Sequence, residues 1–259
     1  MVHYYLNNKD FVSGMTLRKP GFSVAPYDEL NMAFYVGDQH QAVLDNRQRV
    51  AETLNFPLKQ WVFPRVVHGD VIHKIKHHEL GRGAFSLADS LNNVDALYTD
   101  LPDVMLAMFH ADCIPIIFID PSKPLIGIVH AGWRGSLKAI TQKFINTWID
   151  KEQVNPHDLT IYVGPSLRSH NFQIQADVVE LINTNHPVYR PYIIYKKNQT
   201  YLDVLGINLA QMQATGIKLE QVHVHPHCTY DYPDLYFSYR RDHICGRHVS
   251  FIGMRSLFK

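Results

Sequence analysis

Chemically capable side chains crowd at three junctions where an apolar run gives way to small and polar residues: Val67-His68-Gly69-Asp70, Phe109-His110-Ala111-Asp112-Cys113-Ile114-Pro115, and Val129-His130-Ala131-Gly132-Trp133-Arg134-Gly135. Polar residues at the ends of strands can share one cleft while the strands hold them rigid. Two imidazoles and one thiolate, from His68, His130 and Cys113, suit tetrahedral zinc with a fourth position left for water, the pattern of a catalytic site. The gaps of 45 residues from His68 to Cys113 and 17 from Cys113 to His130 are too long for a zinc finger but ordinary for ligands gathered from separate strands. On spacing alone, the same residues also fit a small buried thiol and a satisfied core imidazole.

Other clusters compete. His223-Val224-His225-Pro226-His227-Cys228 places imidazoles at i, i+2 and i+4, on one face of an extended segment; its plainer reading is a solvated strand edge. His73, His77 and His78 around Lys74 and Lys76 read as a polar surface loop. The turn from Ala131 to Gly135 offers two glycines and Arg134 just before a helix, which suits an anion such as phosphate, although the glycines also fit a tight connection. In Phe237-Ser238-Tyr239-Arg240-Arg241-Asp242, strand alternation sends Arg240 and Arg241 to opposite faces, so at most one of them is expected to enter a given cleft, the other being a surface charge.

The elements that must position these residues follow from periodicity. Short β-branched and aromatic runs predict strands near residues 32–36, 61–67, 71–75, 104–109, 114–119, 125–129, 159–163, 222–225, 235–239 and 248–254. Leu137, Ile140, Phe144, Ile145 and Trp148 recur at helical spacing and predict a helix from Ser136 to Ile149. Further helices are expected over 41–54, 175–184 and 205–214, the last ended by Gly216. Ten strands and four interspersed helices without strict alternation point to an α+β fold with mixed β-sheets layered with helices. No linker, repeat or compositional break divides the chain, so residues 1–259 are expected to form a single domain.

Composition narrows the function. The chain has 259 residues, 46% hydrophobic and 19% charged, with 25 Lys+Arg against 24 Asp+Glu and a formal net charge of +1. That balance argues against nucleic acid or an anionic membrane as partner. No apolar run spans a bilayer and the start lacks a leader pattern, so a soluble cytoplasmic protein is expected. Three cysteines without CxxC spacing exclude a disulfide framework and a thiolate zinc knuckle, whereas 16 histidines favour a metal.

Taken together, NMAFYVGD with DNRQRV, VVHGD, DALYTD, ADCIP, HAGWRG, Gly164-Pro165, Cys228-Thr229, FSYRRD and Gly246-Arg247 resemble the bacterial laccase-domain family, also described as multicopper polyphenol oxidases and purine nucleoside phosphorylases. They run in family order over almost the whole chain. The resemblance implies a cysteine-hydrolase-toxin-like α+β fold and a zinc centre on His68, Cys113 and His130, with copper a possible substitute. It also implies phosphorolysis of purine nucleosides (adenosine, inosine, guanosine, methylthioadenosine) by phosphate, plus adenosine deamination. Two departures bear on substrate preference: Val66 stands where the family commonly has Gln, and Phe172-Gln173-Ile174 stands where an aromatic-Glu-Val is usual. His110 and Cys245 are also atypical.

On this reading Asp112 is the candidate proton donor or a partner behind the metal, and Arg134 and Arg240 are the candidate phosphate contacts. No protein partner is inferred. The rivals are a cysteine-type hydrolase editing peptidoglycan precursors, with Cys113 as nucleophile and His130 as base, and a copper polyphenol oxidase, which calls for several His-x-His pairs where this chain offers only the 223–227 run.

Overall fold

A computed structural model describes residues 1–256. Two sheets stack face to face. The first has five strands in the order β1 (Val2–Asn7), β2 (Phe11–Thr16), β16 (His248–Met254), β8 (Val104–His110) and β3 (Trp61–Val62). The second has six, in the order β15 (Val222–Val224), β11 (Thr160–Val163), β9 (Ile114–Asp120), β10 (Leu125–Ala131), β7 (Ala96–Thr99) and β5 (Ile72–Lys74). Pairing is antiparallel except for β3 with β8, β11 with β15 and β5 with β7. A parallel pair, β4 (Pro64–Arg65) with β6 (Leu91–Asn92), and a three-stranded sheet of β12 (Gln173–Ile174), β14 (Gln199–Leu202) and β13 (Ile193–Lys196) complete the β-structure.

Period-two alternation decides the layers. On β8, Met105, Ala107 and Phe109 face a core shared with helix α1 (His40–Thr53), while Leu106 and Met108 face the other sheet. On β9, Ile117 and Ile119 meet that inter-sheet core, whereas Ile114, Ile116 and Phe118 face the helices α2 (Trp133–Leu137), α3 (Ile140–Glu152), α4 (Ala176–Asn185) and α5 (Val204–Gln213). The order is helix, sheet, sheet, helices, the mixed α+β class expected. Gly127 on β10 makes the notch into which α3 docks: a Cβ there would lie 2.4 Å from Phe144 and 2.7 Å from Trp148.

The strand expected over 61–67 is split between β3 and β4, which lie in different sheets, and three further elements differ because polar groups outside a ladder satisfy the backbone. Residues 32–36 are not a strand; Phe34–Val36 is a 3₁₀ turn, and the carbonyls of Asn31 and Met32 accept from Asn46 and Arg47 of α1. Residues 235–239 are irregular, turns flanking a stretch outside any sheet, with the Leu235 carbonyl taken by the Arg18 amide and the Phe237 amide donating to His248 Nε2 at 2.7 Å. The helix expected over 136–149 is two helices, broken at Ala139, whose φ is 62°. Gln211 of α5 donates to the Ser136 carbonyl at 2.7 Å, which ties down the end of α2 and lets α3 start in a new direction. The hairpin β1–β2, turned by Asn8 Oδ1 accepting from two amides, was not foreseen; its first strand carries the mixed polar and aromatic sequence VHYYLN rather than clean alternation.

Among the described residues, no helix is long and apolar enough to cross a membrane.

Candidate metal centre

Sheet register assembles the centre. The antiparallel pairing of β9 with β10 sets Pro115 opposite His130 and Ile114 opposite Ala131, so Cys113, just before β9, comes beside the turn that follows His130. On the other flank Ala96 pairs with both Val129 and Ile72, which lays Asp95 between His130 and Val71. The His130 amide donates to the Asp95 carbonyl at 2.8 Å and the Asp95 amide to the Val71 carbonyl at 3.1 Å. His68 arrives on the loop between β4 and β5, and the ligand atoms of His68, Cys113 and His130 lie within 4.8 Å of one another.

Behind them Asp95, fully buried, holds both histidines. Its Oδ1 accepts from His130 Nδ1 at 2.9 Å and from the His68 amide at 2.9 Å; its Oδ2 accepts from the Gly69 amide at 2.8 Å and the Val67 amide at 3.2 Å. A carboxylate accepting at Nδ1 makes that nitrogen an N–H and turns Nε2 toward the cleft and Cys113, the partnership that orients metal-bound imidazoles. The amides also hold His68 in the left-handed region, at φ 58°, a conformation costly for a residue with a Cβ. Burial alone would raise the Asp95 pKa, but His130 and the amides hold it below the usual range.

The thiol and imidazole polarise each other. Burial would raise the Cys113 pKa, yet the charge of His130 and hydrogen bonds from His130 and His68 bring it down to about 6. Burial would lower His130, yet the Cys113 charge and the Asp95 hydrogen bond raise it to about 10. The site is thus prepared to present a thiolate at neutral pH. Gly132 closes the floor: a Cβ there would sit 2.9 Å from the His68 ring, 3.3 Å from Cys113 Sγ and 3.5 Å from the His130 ring, in the space a cation would use. Donor set, thiolate and this notch fit a zinc-class ion.

The centre opens into a cavity of about 650 Å³. Tyr35, Trp133, Phe172 and Tyr239 give it aromatic walls, and Arg134, Arg240 and Arg247 line it with guanidinium groups. Arg134 is exposed over Trp133. Arg240 is anchored through Nη1 to the carbonyls of Asn171 and Gln173, each at 3.0 Å, and Arg247 through Nη1 to the Cys245 carbonyl at 2.8 Å. Val66 and Gln173, the two departures noted in the sequence, both lie in the cavity wall.

Asp112 reaches this cavity too, but its carboxylate is occupied: Oδ1 accepts from Thr229 Oγ1 at 2.5 Å and Oδ2 from the Arg240 amide at 2.6 Å. With both oxygens accepting, Asp112 clamps the 229 and 240 turns and thereby aims Arg240 into the cleft. Arg241 instead binds the carbonyls of Tyr230 and Tyr236 at 3.0 and 2.7 Å, so one arginine of the pair enters the cavity, through a turn and not through strand alternation. The histidines of the 223–227 run lie apart from this centre: His223 stacks on Tyr162, and the His225 ring packs between those of His3 and His227. His73 pairs with Glu79 at 2.8 Å.

Sequence reasoning missed Asp95 and Arg247 as site residues. Each stood inside a quoted motif, DALYTD and Gly246-Arg247, where a lone carboxylate at the start of an apolar strand and a lone arginine after glycine carry no chemistry by themselves.

Comparison with known proteins follows the same outline. The sequence model of a family described as multi-copper polyphenol oxidoreductase laccase matches residues 12–255. A protein named purine nucleoside phosphorylase YlmD from Geobacillus stearothermophilus is 37% identical over 247 residues, covering 94% of this chain and 90% of its own length. Its namesake from Bacillus subtilis is 34% identical over 252 residues, covering 96% and 90%. A crystal structure of the Bacillus licheniformis hypothetical protein YfiH superposes with a TM-score of 0.91 at 34% identity, covering 97% of this chain and 99% of that one.

Proposed function

This chain belongs to the multi-copper polyphenol oxidoreductase laccase family, and from that premise we propose that it is a cytoplasmic zinc-dependent purine nucleoside phosphorylase that also deaminates adenosine. The observation that carries the proposal is the opening of one cavity onto the His68–Cys113–His130 centre, three guanidiniums and a set of aromatic rings that includes Tyr35, Trp133, Phe172 and Tyr239. Those groups suit the parts of the reaction: aromatic faces for a purine, guanidiniums for phosphate and a polarising centre between them. Relatives named as purine nucleoside phosphorylases at 34–37% identity support the assignment.

In phosphorolysis an oxygen of phosphate forms a bond to C1′ of the ribose while the bond from C1′ to the purine N9 breaks. The electron pair leaves on the purine N9, which takes up the proton that the attacking hydrogen phosphate gives up. Arg240 and Arg247, fixed by backbone carbonyls, bind the phosphate, and exposed Arg134 covers its approach. Phe172 and Tyr239 hold the base. His68, Cys113 and His130 hold the ion, with Asp95 setting the His130 tautomer; a zinc-class ion bound there supplies Lewis-acid polarisation and a lowered pKa for water. The same centre suits deamination, in which adenosine and water give inosine and ammonia. Val66 and Gln173 in the wall set the substrate preference.

Product analysis of the metal-replete protein with adenosine, with and without phosphate, tests this. Phosphate-dependent adenine and ribose 1-phosphate are expected, with inosine reporting deamination; adenosine unchanged under both conditions overturns the nucleoside reading.

A second reading has one observation in its favour. Cys113, His130 and Asp95 stand in series as thiolate, imidazole and orienting carboxylate, the arrangement of a cysteine-type hydrolase, for which peptidoglycan precursors are a candidate substrate. Hydrolysis that persists after complete removal of metal would favour it.

A further inference from the structure

A second thiol-centred cluster lies outside the cavity, on two turns whose side chains His170, Cys228 and Asp231 take no part in the steps above. His170, Cys228 and Asp231 bring an imidazole nitrogen, a sulfur and a carboxylate oxygen within 4.8 Å of one another. Cys228 is 2% exposed, whereas the side chains of His170 and Asp231 are 57% and 41% exposed, so the sulfur forms a floor and the other two donors a rim open to solvent. We propose that His170, Cys228 and Asp231 form a second binding site for a zinc-class divalent cation, separate from the His68–Cys113–His130 centre.

The backbone fixes the donors. The residue-228 segment bridges to Ser166, the Thr229 amide donates to the Ser166 carbonyl at 3.1 Å, the Asp231 amide to the Cys228 carbonyl at 3.2 Å, and the Asn171 amide to the Arg168 carbonyl at 3.0 Å. The sulfur already receives N–H groups, from the Arg168 backbone at 3.4 Å and the Asn171 side chain at 3.3 Å, which fix its position between the two turns. The Asn171 side chain also donates to Asp231 Oδ1 at 2.7 Å, which leaves Oδ2 turned to His170 Nε2 at 2.7 Å. That last contact holds imidazole and carboxylate together across a proton; a cation replaces the proton with the same two donors and gains the sulfur, releasing the thiol proton as it binds.

Donor chemistry selects the ion. Thiolate disfavours Mg²⁺ and Ca²⁺, which want oxygen, and one sulfur, one nitrogen and one oxygen suit zinc with solvent at the remaining position. Occupied, the site cross-links the 168–171 turn to the 228–231 turn. The first of these runs directly into Phe172 and Gln173 and supplies the Asn171 carbonyl that anchors Arg240, so the cation would stiffen one wall of the cavity without touching substrate.

Titration of chelator-stripped, full-length protein with Co²⁺, read by visible thiolate-to-cobalt absorption and by metal content after desalting, tests this apart from any nucleoside activity. Wild type is expected to bind two equivalents, C113A one, H170A one, and the C113A/H170A double variant none. D231N, also on the rim, serves as a second probe and should weaken the C113A-background site at least tenfold. The proposal is overturned if C113A binds no cobalt at concentrations that saturate H170A, or if the equivalent retained by C113A survives both H170A and D231N.

Discussion

Two clusters in this molecule hold a cysteine sulfur against an imidazole, and they are built in opposite ways. Around Cys113 two donors stand at the ends of paired strands and the third, His68, on the loop after β4, and a fully buried carboxylate fastens both histidines from behind. Around Cys228 the donors stand on short turns, and the carboxylate is itself a donor on an exposed rim. In the first, the sheet ladder orders Cys113 and His130 and only His68 is exposed; in the second two of the three side chains are exposed, so more of the ordering falls on the binding event. The difference teaches that each cluster is ordered by a residue with no ligand role, the buried carboxylate of Asp95 behind the first and the half-buried amide of Asn171 beside the second.

The largest effect that would break this contrast is at the first centre. Cys113→Ala should remove its metal and lower phosphorolysis by about 10³-fold, the scale of several kcal/mol that a catalytic ion supplies, measured by metal content and turnover; full activity without metal would remove the centre from the mechanism. Next, Asp95→Asn should cost about 3 kcal/mol of stability, because it breaks a buried charge pair, and should weaken metal binding by about 10–100-fold. Denaturant melts and zinc titrations read the two effects separately. His170→Ala in metal-free protein should cost less than about 1 kcal/mol, the usual worth of an exposed ion pair; equal costs for the two substitutions would erase the distinction between the clusters.

Arg240→Ala should raise KM for phosphate by about tenfold, the loss of a charge-assisted hydrogen bond, and Asp112→Asn should shift KM in the same direction through the Arg240 turn. Steady-state kinetics with phosphate varied decides both. The smallest effect is in pH. With the folded Cys113 thiol near 6, against an ordinary 9, thiolate stabilisation of the metal-free fold is complete above pH 9 and is lost as the pH falls through about 6. Carbamidomethylation of Cys113 by iodoacetamide in stripped protein should therefore rise with a midpoint near pH 6 and be suppressed by added zinc; a midpoint above pH 8 would show that His130 does not stabilise the thiolate.

Much of this contrast was legible in the sequence on one side only. His68, Cys113 and His130 announced themselves because each follows a strand-like apolar run, and a ligand at a strand end needs no knowledge of distant partners. Cys228 was visible beside a run of histidines that competed for attention, yet its neighbours in space are His170, 58 positions earlier, and Asp231, three later. No periodicity links them. Arg240 was legible as a cavity residue but its route was not: the segment expected as strand 235–239 is held outside any sheet by Arg18 and His248.

The sequence by itself determined which faces of the central strands are apolar on both sides, since side chains alternate along a strand whatever surrounds it. With that it determined the layered α+β fold and singled out His68, Cys113 and His130 as candidate donors. Only the tertiary structure decided that Asp95 stands behind both histidines, that Asp112 is a clamp, that residues 136–149 break into two helices, and that Arg247 reaches the cavity. The physical reason is common to all four. Each depends on hydrogen bonds or packing between segments that cross-strand register and helix docking bring together, and a hydrogen bond is satisfied by whichever partner is near in space, a fact that local residue patterns do not encode.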